Sequence, residues 1–132
     1  MLQTTILALE DAKRIAAAAR AEAEKNGWAV VIAVLDDGGH LMYLERMDGT
    51  QKASSRIAEE KGRTAILFKR PTKAIEDNVL EGRIAMLGVP GAVPLEGGVP
   101  LLKDGRFVGG IGVSGVQSFQ DGIVARAGAA VL

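Results

Sequence analysis

The chain contains no cysteine, which removes disulfides, thiolate metal sites and cysteine nucleophiles at one stroke. That is also what a reducing compartment permits. Neither sign of charge is in excess, since Lys plus Arg and Asp plus Glu both number 16. No net field draws polyanions, so nucleic acid and anionic membrane surfaces are not expected as partners. No run approaches the roughly 18 apolar residues of a membrane-spanning helix. The first residues, Met1 to Leu9, lack the basic start of a signal peptide, and Glu10, Asp11, Lys13 and Arg14 interrupt the segment after them. A cytoplasmic location is the expectation. There is one histidine, His40, so no histidine pair exists to build a structural zinc site or a His-Glu-x-x-His motif.

What is present is a chain of 132 residues, long enough for one domain, residues 1–132, that buries about two thirds of its unfolded surface. Its most distinctive stretch runs from Gly97 to Gly115. Two apolar runs flank Asp104-Gly105, the pair a type I′ turn asks for because both central residues need positive φ. A β-hairpin is predicted there. In its second arm Phe107, Gly109, Ile111 and Val113 alternate with Val108, Gly110, Gly112 and Ser114, and the latter face is nearly bare. Glycine inside a strand marks a place where a backbone or a ligand comes close.

Elsewhere the periodicity predicts a short edge strand over Leu2 to Leu7. A helix then runs from Leu9, with Ala12, Ile15, Ala16, Ala19 and Ala23 inward and with Glu10/Arg14 and Arg20/Glu24 paired outside, ending at Asn26-Gly27. Trp28 to Leu35 and Leu41 to Arg46 read as a second hairpin. Thr50 is the candidate cap of a helix through Phe68 that carries Arg56/Glu60 and Glu59/Arg63 pairs and turns Ala53, Ile57, Lys61 and Ala65 inward. Pro71 ends it, Thr72 caps a shorter helix through Leu80, and Gly82 to Gly91 is loop-like. Ser118 caps a last helix with Ile123, Ala127 and Val131 inward, and Asp121 in its first turn suits the helix dipole. The element order β-α-β-β-α-α-β-β-α is that of an α/β layer structure with a largely antiparallel sheet.

Several motifs admit two readings. Gly110 to Gly115 spells G-x-G-x-x-G, but only 17 residues come after it, too few for the βαβ unit and distal acid of a dinucleotide site. Without a Gly-Lys-Ser/Thr it is no phosphate loop either. His40 is either a polar hairpin residue or, functionally, an axial ligand to iron or a hydrogen-bonding group. Lys61, on an apolar helix face, either snorkels or makes an ion pair across a subunit contact, or else receives an anionic ligand group. Arg46 either ends its strand or anchors a carboxylate, and Glu96 beside Gly97-Gly98 is a candidate base or polar anchor. Ser114 has no base beside it and is not a nucleophile.

Together the blocks DDGGHLMYLERMDG and GGVPLLKDGRFVGGIGVSG, with the intervening long helix and FKRPT, resemble the GlcG/HbpS haem-binding family and the C-terminal domain of PduO-type proteins. The resemblance spans nearly the whole chain. It implies a profilin-like α+β fold with an antiparallel sheet of about five strands flanked by helices, assembled into dimers or larger rings such as octamers. It also implies binding of haem or a related tetrapyrrole, with haem degradation or redox sensing attached in some members. His40, Gly97, Gly98, Ser114 and Gly115 match the family blocks, while Gly122 departs from an acidic residue common there. The rival reading is an isomerase- or lyase-type enzyme, or an accessory protein, acting on a small organic acid, with Glu96 or His40 as base and Arg46 or Lys61 on the carboxylate. A third is an assembly subunit whose glycine face is covered by another chain.

Overall fold

The computed structural model describes residues 1–132, and the glycine-rich strand stands at its centre. That strand, β4 (Arg106–Ser114), runs between β1 (Val31–Asp36) and β3 (Gly98–Lys103), with β2 (Leu41–Arg46) on the outer side of β1. All pairings are antiparallel, giving a four-stranded sheet in the order β2-β1-β4-β3. Helices α1 (Leu9–Asn26) and α4 (Ser118–Ala129) cover one face, and α2 (Ser54–Phe68) lies on the other. After α2 come α3 (Thr72–Leu80) and a 3₁₀ turn at Ile84–Gly88. No helix is long and apolar enough to cross a membrane.

This is the helix-flanked antiparallel α+β architecture expected, with one element fewer. Leu2 to Leu7 is irregular rather than an edge strand, because Leu7 is its one buried side chain and nothing else pins it to the sheet. In α1 all five predicted inward residues are buried. Gly27, at φ 73°, closes it in the left-handed conformation, donating to Ala23 O and Glu24 O. Arg14 turns to Asp11 rather than Glu10, while Arg20 reaches both Glu24 and Glu45.

Helix starts differ from expectation because the hydroxyls of Thr50 and Thr72 have other partners and Ser118 lies one residue inside its helix. Thr50 Oγ1 donates to Met47 O in the turn before α2, which begins at Ser54. Thr72 comes after the capping Pro71 and turns inward, where its hydroxyl accepts the Gly98 N–H at 2.8 Å. Ser118 is the first residue of α4, after Gln117, whose N–H goes to Gln120 Oε1. The buried stripes shift too. In α2 Ala53 is exposed and Ile57 half-buried, while Ser54, Ala58, Lys61, Gly62 and Ala65 face the sheet. In α4 the buried residues are Asp121, Gly122, Val124, Ala125 and Gly128, while Ile123 and Ala127 are half-buried and Val131, past the helix end, packs against the core. Small residues win both faces because the layers approach closely.

The unbroken apolar run of β1 is explained by burial on both faces. Ile32 and Val34 join the core under α1 and α4, and Val31, Ala33 and Leu35 meet Ala58 of α2. In β4, Ile111 and Val113 join the first core, and a bulge opposite Leu101/Leu102 turns Val108 to it as well, away from the bare face predicted for it. Asp104 and Gly105, at φ 51° and 75°, make the turn. The bare face itself is filled by α2. A Cβ on Gly112 would sit 1.8 Å from Ala58 O, and one on Gly110 would sit 2.4 Å from Gly62 O. The helix contributes its own glycine, since a Cβ on Gly62 would come within 2.9 Å of Gly112 N.

Backbone against backbone leaves nothing that a rotamer change can relieve, so Gly112→Ala is expected to cost about 3 kcal/mol in urea unfolding. Gly105→Ala, with open space around it, is expected to cost only about 1 kcal/mol from its left-handed φ. Equal losses at the two positions would refute the close-approach account.

Candidate functional site

Where β4 ends and β3 begins, four charged side chains are drawn into two pairs. Lys61, 2% exposed, extends from α2 around the end of the sheet, and its Nζ donates to Asp121 Oδ2 of α4 and to Val113 O, each at 3.1 Å. Burial pushes the Asp121 carboxyl above the usual aspartate range, against the pull of Lys61 and of the Val116 N–H on Oδ1, and nearby Glu96 adds to the rise. Glu96, also buried, accepts from Arg126 Nη1 at 3.0 Å, and its own N–H goes to Glu76 Oε1.

The glycines around this cluster are there for space. A Cβ on Gly97 would lie 2.8 Å from Lys61 Nζ, and one on Gly98 would lie 2.2 Å from Lys61 O. Gly122 has a similar role: a Cβ there would fall 2.2 Å from Glu96 Oε2. The departure from an acidic residue at this position thus accommodates the Glu96 carboxylate. Ser114 Oγ donates to the buried Ser54 Oγ at 3.1 Å, and Gly115 packs against Ala29 O.

Of the residues singled out by sequence, Lys61, Glu96, Gly97, Gly98, Ser114 and Gly115 therefore gather at one end of the sheet. Arg46 lies at the same end but on the far edge strand, in a shallow groove with Arg20, Glu24 and Asp48. His40 lies at the opposite end, in the β1–β2 turn. Asp36 and Val31 bound β1, so the length of that strand, roughly 17 Å, separates the two ends. Asp121, Arg126, Ser54 and Thr72 were not singled out as site residues. The one signal for the first was Lys61 itself, a buried ammonium that needs a counter-ion.

The cluster is saturated. No buried side-chain nitrogen or oxygen lacks a hydrogen-bond partner, and none of the cavities is lined by Lys61, Glu96, Gly97 or Gly98. Within the chain Lys61 and Glu96 are engaged by Asp121 and Arg126. His40 is different. Its side chain is 81% exposed, with Nδ1 3.2 Å from Asp36 Oδ1. The same carboxylate oxygen accepts the N–H groups of Gly38 and His40 at 2.9 Å. Burial tends to raise the Asp36 carboxyl, but these hydrogen bonds outweigh it and hold the group below its ordinary value. An ionised Asp36 favours the neutral tautomer with its proton on Nδ1, in which Nε2 carries the lone pair, the arrangement used by metal-bound imidazoles.

Residues 7–130 match the model of the family described as haem degrading protein HbpS-like. The chain belongs to this family. GlcG of Escherichia coli strain K12 is 48% identical over 114 residues, 86% of this chain and 85% of GlcG. The crystal structure of a Streptomyces reticuli HbpS double mutant superposes with a TM-score of 0.91 at 38% identity, covering 100% of this chain and 90% of that one. A crystal structure of a PduOC–haem complex gives a TM-score of 0.87 at 28% identity, covering 97% and 96% of the two chains.

The buried pair has a pH signature. Lys61→Met leaves the Asp121 carboxylate buried without its cation, and a loss of about 3–5 kcal/mol is expected near pH 8 in urea unfolding. The Asp121 carboxyl is raised in the folded state, so the folded chain binds its proton more readily and the deficit shrinks as pH falls. Lys61→Met combined with Asp121→Leu is expected to recover most of the loss. A deficit that is independent of pH would contradict the assignment.

Proposed function

We propose that this chain is a small cytoplasmic homo-oligomeric protein that binds haem or a related tetrapyrrole, in the service of haem degradation or redox sensing. The observation that carries the reading is the fold shared along almost its full length with a chain crystallised as a haem complex. Membership of a family described by haem degradation supports it. His40 fits the role of the iron-facing residue: it is exposed, its ring is oriented by Asp36, and Nε2 is free to donate its lone pair. Bound haem would supply an iron centre for redox or oxygen chemistry. The protein's part is to orient the imidazole and to keep its Nδ1 proton hydrogen-bonded.

The rival reading, an isomerase or lyase on a small organic acid, needs a base and a carboxylate anchor facing one cavity. Glu96 and Lys61 face Arg126 and Asp121 instead. Self-association is supported by the apolar surface that a single chain leaves in water. Leu80, Ile84 and Leu87 lie together in sequence on α3 and the 3₁₀ turn, and all are exposed, as are Leu95 and Phe119.

Titration of the purified protein with haemin is expected to shift and saturate the Soret band. His40→Ala is expected to abolish the shift, and Asp36→Ala to weaken binding roughly tenfold. A spectrum of free haemin throughout would sink the haem reading, and a shift that His40→Ala leaves unchanged would remove His40 as the iron ligand. Native mass spectrometry is expected to give a multimer that Leu87→Asp dissociates. A monomeric wild-type chain would remove self-association from the proposal.

A further inference from the structure

The exposed ring of His40 is held on more sides than by Asp36 alone. A Cβ on Gly38 would lie 2.9 Å from both Cε1 and Nδ1 of the imidazole, so the ring rests against the bare backbone of that residue. Gly38 does not have the positive φ that favours glycine, unlike its neighbour Gly39 at φ 79°. What glycine provides at position 38 is room for the ring.

Behind this turn stands α2. Arg63 Nε donates to Gly39 O at 2.8 Å, and the stem of the same side chain backs the turn, where a Cβ on Gly39 would come within 3.1 Å of Arg63 Cγ. The rest of the guanidinium fork is occupied on its own helix, Nη2 donating to Glu59 Oε1 at 2.7 Å and Nη1 to Glu60 Oε1. With both ends of the fork engaged, its plane is fixed and Nε is aimed at the turn. The carbonyl it takes belongs to the residue immediately before His40.

The turn is thus closed from within by Asp36 Oδ1, on the N–H groups of Gly38 and His40, and fastened from outside by Arg63. An imidazole that is largely exposed has little packing of its own to orient it, so the turn sets its direction. We infer that Gly38 and Arg63 are the positioning residues of His40: together they keep Nδ1 within reach of Asp36, hold the proton on that nitrogen and leave the lone pair on Nε2. Their role in ligand binding rests on the reading of His40 as the iron-facing residue, and both act through the ring rather than on the ligand.

The single histidine makes the test direct, because only one pair of ring nitrogens appears in a long-range proton–nitrogen NMR spectrum of the imidazole. At about pH 9 and without haem, wild-type protein is expected to show the Nδ1–H tautomer in excess. Arg63→Met keeps the stem against Gly39 and deletes the donors, and Gly38→Ala puts a methyl group where the ring rests. Each is expected to return the ring to the tautomer mixture of a free histidine side chain and to weaken haemin binding roughly tenfold. Lys73→Gln breaks another helix-surface ion pair, with Asp77 on α3, and is expected to leave both readouts unchanged. Urea unfolding identifies a variant that does not fold, and Gly38→Ala carries the test if Arg63→Met is one. If either folded variant keeps the wild-type tautomer, or if Lys73→Gln shifts it as far, the inference falls. The haem reading fails separately: haemin whose Soret band never moves removes that reading whatever the tautomer, whereas a tautomer lost with no loss of haemin binding removes only the positioning role.

Discussion

The backbone of α2 rests on the backbone of β4 with no side chain between them, and most of the architecture depends on that contact. Gly110 and Gly112 on the strand and Gly62 on the helix leave carbonyl and amide groups facing one another at distances that no Cβ tolerates. The approach brings the Lys61 stem level with the end of the sheet. From there its ammonium reaches Asp121 on the opposite layer. A wider helix–sheet spacing would leave the ammonium short of its partner, and two buried charges would then be unpaired at a cost of several kcal/mol.

The Lys61–Asp121 pair ties α2 to α4 around one end of the sheet, and Glu96–Arg126 ties the loop before β3 to α4. Glycines at 97, 98 and 122 make the necessary room. Burial and mutual pairing engage the charged groups at this end of the sheet, while the opposite end carries an exposed imidazole beside Asp36.

Much was legible from local pattern. The α1 stripe, the Asn26-Gly27 stop, the Asp104-Gly105 turn and both hairpins arise from propensities that act over a few residues. The inward Lys61 was legible for the same reason. Less legible were the caps. Thr50, Thr72 and Ser118 are good capping types, but the hydroxyls of Thr50 and Thr72 are engaged elsewhere and Ser118 sits one residue inside its helix. The inward face of α2 was right at Lys61 and Ala65 but not at Ala53 and Ile57, and that of α4 was misplaced at Ile123, because hydrophobicity favours the isoleucines whereas the close-packed seam selects Ser54, Ala58, Gly62, Val124 and Gly128. The expected strand at Leu2 to Leu7 failed because strand formation needs a partner edge as well as β-forming residues.

By itself the sequence determined the four helices, the two antiparallel hairpins and the family blocks, since each depends on residue type and short-range spacing. Only the tertiary structure decided what the bare glycine face meets, that Lys61 answers to Asp121 and Glu96 to Arg126, and that His40 stands a strand's length away from both. Those facts depend on residues 30 to 60 positions apart, and no local periodicity encodes which distant carboxylate a buried cation will find.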